Sequence, residues 1–98
     1  MADISVSTSE TGDGWTAHVT VSEGSSSSSH SVTIGQGYYQ QLTGNDYSPE
    51  QLVEISFEFL LEREPKESIL RRFDLPTISR YFPEYEETIG QLLEEKYG

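Results

Sequence analysis

The chain has no cysteine, and only 6 lysine and arginine residues stand against 17 aspartate and glutamate. The missing cysteine excludes disulfides, thiolate catalysis and cysteine-ligated zinc. The shortage of bases sets the formal net charge at −11. Such a chain is repelled by nucleic-acid phosphates and anionic lipid surfaces, because affinity there rests largely on neutralising phosphates. A long apolar run is missing too. The longest, Phe59-Leu60-Leu61, is far short of the roughly 20 residues a membrane span needs. Met1-Ala2-Asp3-Ile4 carries neither a basic region nor an apolar stretch, so no secretory signal is expected and the chain reads as cytoplasmic. The acidity has a plain use in solubility. With only two lysines it also fits a salt-adapted chain.

What is present fits one domain of 98 residues, residues 1–98, with one modest core. Residues 1–35 read as a β-meander. Trp15, Ala17, Val19 and Val21 alternate with Thr16, His18 and Thr20, the period of a half-buried strand. Val32 and Ile34 share a face of a further strand beginning at His30, and Ile4 and Val6 mark a weaker first strand. Gly12-Asp13-Gly14 is turn chemistry. Residues 24–29, Gly24 followed by five serines, read as a flexible loop.

Residues 36–98 read as the helical part. Tyr38 to Leu42 suggest a short helical turn. Four prolines follow, each where a helix can begin, since proline lacks the N–H that a first helical residue leaves unpaired. Ser48-Pro49-Glu50-Gln51 carries a capping box, with Tyr47 and Leu52 placed as a hydrophobic staple. The helix it opens should run from Pro49 to about Glu64, apolar over most of its circumference, with Glu54, Glu58 and Glu62 on a narrow polar edge. Pro65 is expected to start a second helix to about Phe73, Pro76 a short third, and Pro83 a last one with Tyr85, Ile89, Leu92 and Leu93 in its stripe. The expected fold is α+β: a two- or three-stranded antiparallel β-meander packed on three or four α-helices.

The stretch Ser48 to Val53, then Phe59 to Leu70 (FLLEREPKESIL), then Phe73-Asp74-Leu75 and Tyr81-Phe82-Pro83-Glu84-Tyr85, resembles a family of short conserved hypothetical proteins of prokaryotes. The resemblance covers about the C-terminal half. That family carries no established activity, so the resemblance implies a recurring domain and brings no functional residue with it.

Chemistry-bearing groups are few. His18 and His30 fall on or near adjacent strands, and with Glu23 they supply ligand types for a metal. His18, however, sits on the polar face and His30 follows the serine run, so no metal or cofactor is assigned. The serines lack a rigid base and an oxyanion hole, so no catalytic residue is assigned. Glu54, Glu58 and Glu62 read as a solvated face. The uneven charge is more informative. Residues 63–80 sum to +2 and the remainder to −13. Two short helices here resemble a helix-turn-helix, but the second offers only Thr77, Ser79 and Arg80 to a groove, so nucleic acid is disfavoured. Arg71, Arg72, Arg80, Tyr81 and Tyr85 form the candidate partner-binding set, because a positive, aromatic patch on a negative protein can orient an encounter. The expected function is a small non-catalytic protein-interaction or regulatory module. The alternative is a small-ligand binder or enzyme with a pocket between the meander and helix 49–64, near Trp15 and Tyr38. A homodimer paired through exposed strand edges is a third arrangement.

Overall fold

The computed structural model describes residues 2–98. Three strands come first: β1 (Asp3–Glu10), β2 (Gly14–Glu23) and β3 (Ser26–Gly35). They pair antiparallel in sequence order, with Val6 opposite Val19 and Ala17 opposite Val32. Helices α1 (Gln36–Thr43) and α2 (Pro49–Leu61) follow, then a single 3-10 turn at Lys66–Ser68. A short strand β4 (Arg72–Asp74) precedes α3 (Thr77–Tyr81) and α4 (Tyr85–Tyr97). β4 lies parallel to β3, so the sheet has four strands in the order β1-β2-β3-β4. The architecture is α+β as expected, but with one more strand than the meander alone supplies.

The helix expected over 65–73 does not form: the 3-10 turn takes Lys66–Ser68, and β4 begins at Arg72. A helix of nine residues has little stability of its own, because nucleation fixes several dihedrals for one hydrogen bond. The open edge of β3 offers ladder bonds instead: Ser31 N–H donates to Arg71 O at 2.7 Å and Leu75 N–H to Thr33 O at 2.9 Å. Phe73 then falls opposite Val32 and meets the Phe57 ring at 6.1 Å. With no helix over 69–73, the helix-turn-helix arrangement does not form.

The serine run is also not a loop. Ser26–Ser29 are paired strand residues of β3, Val21 facing Ser28 and Thr20 facing Ser29. Only Gly24 and Ser25 turn the chain between the paired residues Glu23 and Ser26. Gly24 takes φ 58° at the first central position, where a two-residue type II′ hairpin needs glycine. Serines alternate between faces like any strand residues. The sheet's outer face therefore carries a polar array including Ser7, His18 and Ser31, one row across three strands.

The inner face holds Val19, Val21, Val32 and Ile34, all buried. α2 lies across it. Ser48 caps this helix as the sequence indicates: Gln51 N–H donates to Ser48 Oγ at 3.1 Å, and Ser48 N–H to Gln51 Oε1 at 2.9 Å. Leu52, Val53, Phe57 and Phe59 are fully buried, which fits a helix apolar around most of its surface and covered on two sides. α4 covers the second side with Tyr85, Ile89 and Leu93. Gly14 closes the first hairpin against the start of α1. A Cβ there would lie 1.9 Å from Ile34 O, so only glycine fits.

Candidate functional site

Of the five residues proposed from sequence for partner binding, four lie at the surface and one does not. Tyr85 is fully buried. Its position four residues before Ile89 and eight before Leu93 puts it on the inward stripe of α4. Burial raises its phenol pKa above the ordinary tyrosine value. It is a core residue, and the candidate surface is corrected to Arg71, Arg72, Arg80 and Tyr81.

Of these four, Tyr81 lines a groove of about 170 Å³ between the end of α2, the segment leading into β4, and α3. Leu60, Ile69, Leu70, Phe73, Tyr81 and Phe82 give it apolar walls, and Glu64 is its one carboxylate. Leu70 is 47% exposed and Tyr81 67%, the two large hydrophobic residues that stand out in solvent among the described residues. Both belong to the same groove. Arg71 and Arg72 sit in the chain between the lining residues Leu70 and Phe73, and Arg80 directly precedes Tyr81.

The arginines beside the groove differ from the other cations. Arg63 reaches Glu84 at 3.3 Å, donates to Phe59 O at 3.1 Å and stacks 3.6 Å from the centre of the Phe59 ring. Lys66 is almost completely buried. It holds Glu67 at 2.6 Å and Glu23 at 3.5 Å, tying the 3-10 turn to the tip of the second hairpin. The hydrogen bond to Glu67 raises its pKa and lowers that of Glu67. Lys96 bridges Glu54, at 2.9 Å, and Glu58. Its hydrogen bond is the main cause holding the Glu54 carboxyl below the usual range. Two of the three acids on the edge of α2 are thus paired rather than merely solvated. Among the described residues, Arg71, Arg72 and Arg80 have no carboxylate within ion-pair distance and are exposed. Each such free cation adjoins a groove-lining residue in the chain, with Arg72 on the opposite face of the sheet from Phe73.

One contact missed in the sequence sets the groove wall. His30 is buried against Phe57, ring centres 5.2 Å apart, and its Nδ1 lies 2.8 Å from Leu70 O. A carbonyl only accepts, so Nδ1 carries the proton. Nε2 lies 2.8 Å from Ser28 Oγ. A serine beside a histidine is the start of a nucleophile and base pair. Neither residue lines the groove or the second cleft described below. The histidine instead ties Leu70 to β3. The alternation Ser28-x-His30-x-Val32 would have placed His30 on the inner face had the serines been read as strand, but not its bond to Leu70.

The other arrangements weighed from sequence resolve as follows. His30 pairs with Val19 and His18 with Ser31, so the two rings project from opposite faces of the sheet and cannot share a ligand. Trp15 packs edge-on against Tyr39 at 4.8 Å, and Tyr38 donates to Glu86 at 2.9 Å. Burial is the main cause raising the Tyr38 pKa. Neither residue lines the groove or the second cleft. That cleft, about 510 Å³, does lie between β1 and α2, but beside Asp3, Glu23, Glu54, Glu58 and Glu62 with Lys96. Its Glu54 and Glu58 already serve Lys96. No helix among the described residues is long and apolar enough to cross a membrane. Compared with protein-family models, curated proteins and solved structures, the chain finds no match.

Proposed function

We propose that the protein is a non-catalytic interaction module of the cytoplasm that docks a protein partner in the groove between α2, β4 and α3. The observation that carries this reading is a coincidence of three features in one place. The two exposed large hydrophobics line the apolar groove, and the cations with no internal partner stand next to its lining residues in the chain. Exposed apolar clusters with aromatic and arginine residues favour protein contact, with buried anchors supplying affinity and charge supplying orientation. The partner it fits presents apolar side chains flanked by carboxylates. The strongly negative remainder of the surface repels acidic molecules elsewhere and leaves this patch as their landing place. The Leu70 backbone is tied to β3 by the bond from His30.

The test is a photo-crosslinking amino acid placed at Tyr81 in the native cell, with and without Arg71→Glu and Arg72→Glu. A crosslinked protein whose contact segment is acidic and apolar, lost in the double variant while its circular dichroism stays unchanged, is the expected result. Crosslinking to a second copy of the chain would replace this reading with self-association. Crosslinks that persist in the double variant would remove the arginines from it.

A further inference from the structure

We infer that the partner binds as an extended segment that adds a fifth strand to the sheet along the free edge of β4. This rests on the docking reading and specifies its geometry. β4 is the last strand of the sheet, and β3 is its only sheet neighbour among the described residues. The bonds from Ser31 N–H to Arg71 O and from Leu75 N–H to Thr33 O frame Phe73 as the residue whose backbone groups turn toward β3. Alternation then turns the N–H and C=O of Arg72 and Asp74 the other way. No hydrogen bond outside the sheet ladder uses any of these four groups among the described residues. An exposed edge of this kind is a template for another chain.

The surroundings of this edge fit one occupant. Phe73 and Leu70 place the groove beside the free edge, so alternate side chains of an added strand meet an apolar recess. The intervening side chains fall on the outer face beside Arg72, where the Asp74 carboxylate is already held by the Thr33 hydroxyl. The segment that fits therefore alternates apolar residues with aspartate or glutamate. The opposite edge of the sheet lacks these features. β1 carries Asp3 and Glu10 at its ends and has no basic residue, so an acidic strand is repelled there. Two β1 edges from two copies, paired antiparallel over their full length, would bring these acids together as well.

A displayed library of random twelve-residue peptides, selected on the immobilised full chain, supplies the probe. The winning peptide is then measured by fluorescence polarisation and by amide exchange in NMR. The expected winners alternate apolar and acidic residues. Their binding slows exchange of the Arg72 and Asp74 amides at least tenfold. Methylating alternate backbone nitrogens of the peptide weakens binding at least tenfold, with no change to the protein itself. Binding that is lost in Arg71→Glu with Arg72→Glu, but ignores backbone methylation and leaves the two amides unprotected, overturns strand addition and leaves the docking surface standing. Winners indifferent to both arginines, or no winners, overturn the docking reading and this inference together.

Discussion

The Tyr85 phenol lies 2.7 Å from Ser56 Oγ, and Ser56 gives its own proton to Leu52 O at 2.7 Å. Ser56 therefore accepts from Tyr85, and both residues are fully buried. Removing each partner has a different cost. Ser56→Ala strands a buried phenolic donor and should cost about 1–3 kcal/mol. Tyr85→Phe leaves Ser56 its bond to Leu52 and should cost about 0.5–1.5 kcal/mol. The double variant should lose less than the sum. Urea titration of the four proteins measures the coupling, and strict additivity would contradict the bond.

The same phenol predicts an alkaline limit. Burial raises the Tyr85 pKa, and burial with the nearby Glu54 pushes Tyr97 up to about 12. The folded state therefore holds these protons more tightly than the unfolded chain. Their contribution is complete below about pH 10, the ordinary tyrosine value, and is lost as pH rises beyond it through the folded values. Melting temperature should fall from about pH 10 upward, and less steeply in Tyr85→Phe. Parallel curves for the two proteins would remove Tyr85 as a cause.

Lys96 gives the acid counterpart. It keeps the Glu54 pKa low, so this stability is present above the ordinary glutamate range and is lost as pH falls through the lowered value. Lys96→Met should cost about 0.5–1 kcal/mol at pH 7, since the pair is partly exposed and screened by water. The difference from wild type should shrink below pH 4 and in molar salt, readable by thermal melts.

Gly14→Ala should destabilise the chain by about 1–3 kcal/mol, because the added Cβ drives into the Ile34 carbonyl. Gly12→Ala, two residues away, meets nothing within 4 Å and is the control. Equal denaturation midpoints for the two would show that the hairpin gives way freely.

His30 should appear in nitrogen-15 NMR with its proton on Nδ1, since the acceptor is the Leu70 carbonyl. In the neutral ring the Ser28 hydroxyl donates to Nε2. Ser28→Ala removes that bond at a cost of about 1 kcal/mol and should speed amide exchange around Leu70. An Nε2-protonated ring would sever the proposed tie between β3 and the groove wall.

How far the sequence foretold this structure depended on how local each signal was. The cap of α2 lies within four consecutive residues, and it forms as read. The alternation of β2 was legible because Ala17, Val19 and Val21 are all apolar. Ser26–Ser29 gave no such contrast, and their strand is dictated by β2 across the hairpin. β4 was illegible for a stronger reason. Ile69, Leu70 and Phe73 suit a helical face, and only the distant Ser31–Thr33 edge makes an extended path better. The basic segment 63–80 was visible as composition. That Arg63 and Lys66 are spent on internal pairs, leaving three arginines free, needed the distances. Tyr85 carried its own contrary signal in its spacing to Ile89 and Leu93.

The parallel pairing of β3 with β4 bears on the order in which the chain assembles. Thr33 and Asp74 are 41 residues apart, and closing such a loop costs about 3 kcal/mol of chain entropy. Only three paired residues offset it directly. The meander and the capped α2 are local and can form without β4, so the groove edge is completed late and is the first part to let go. Its readiness for a partner is then set by a local opening equilibrium, separate from the stability of the whole protein.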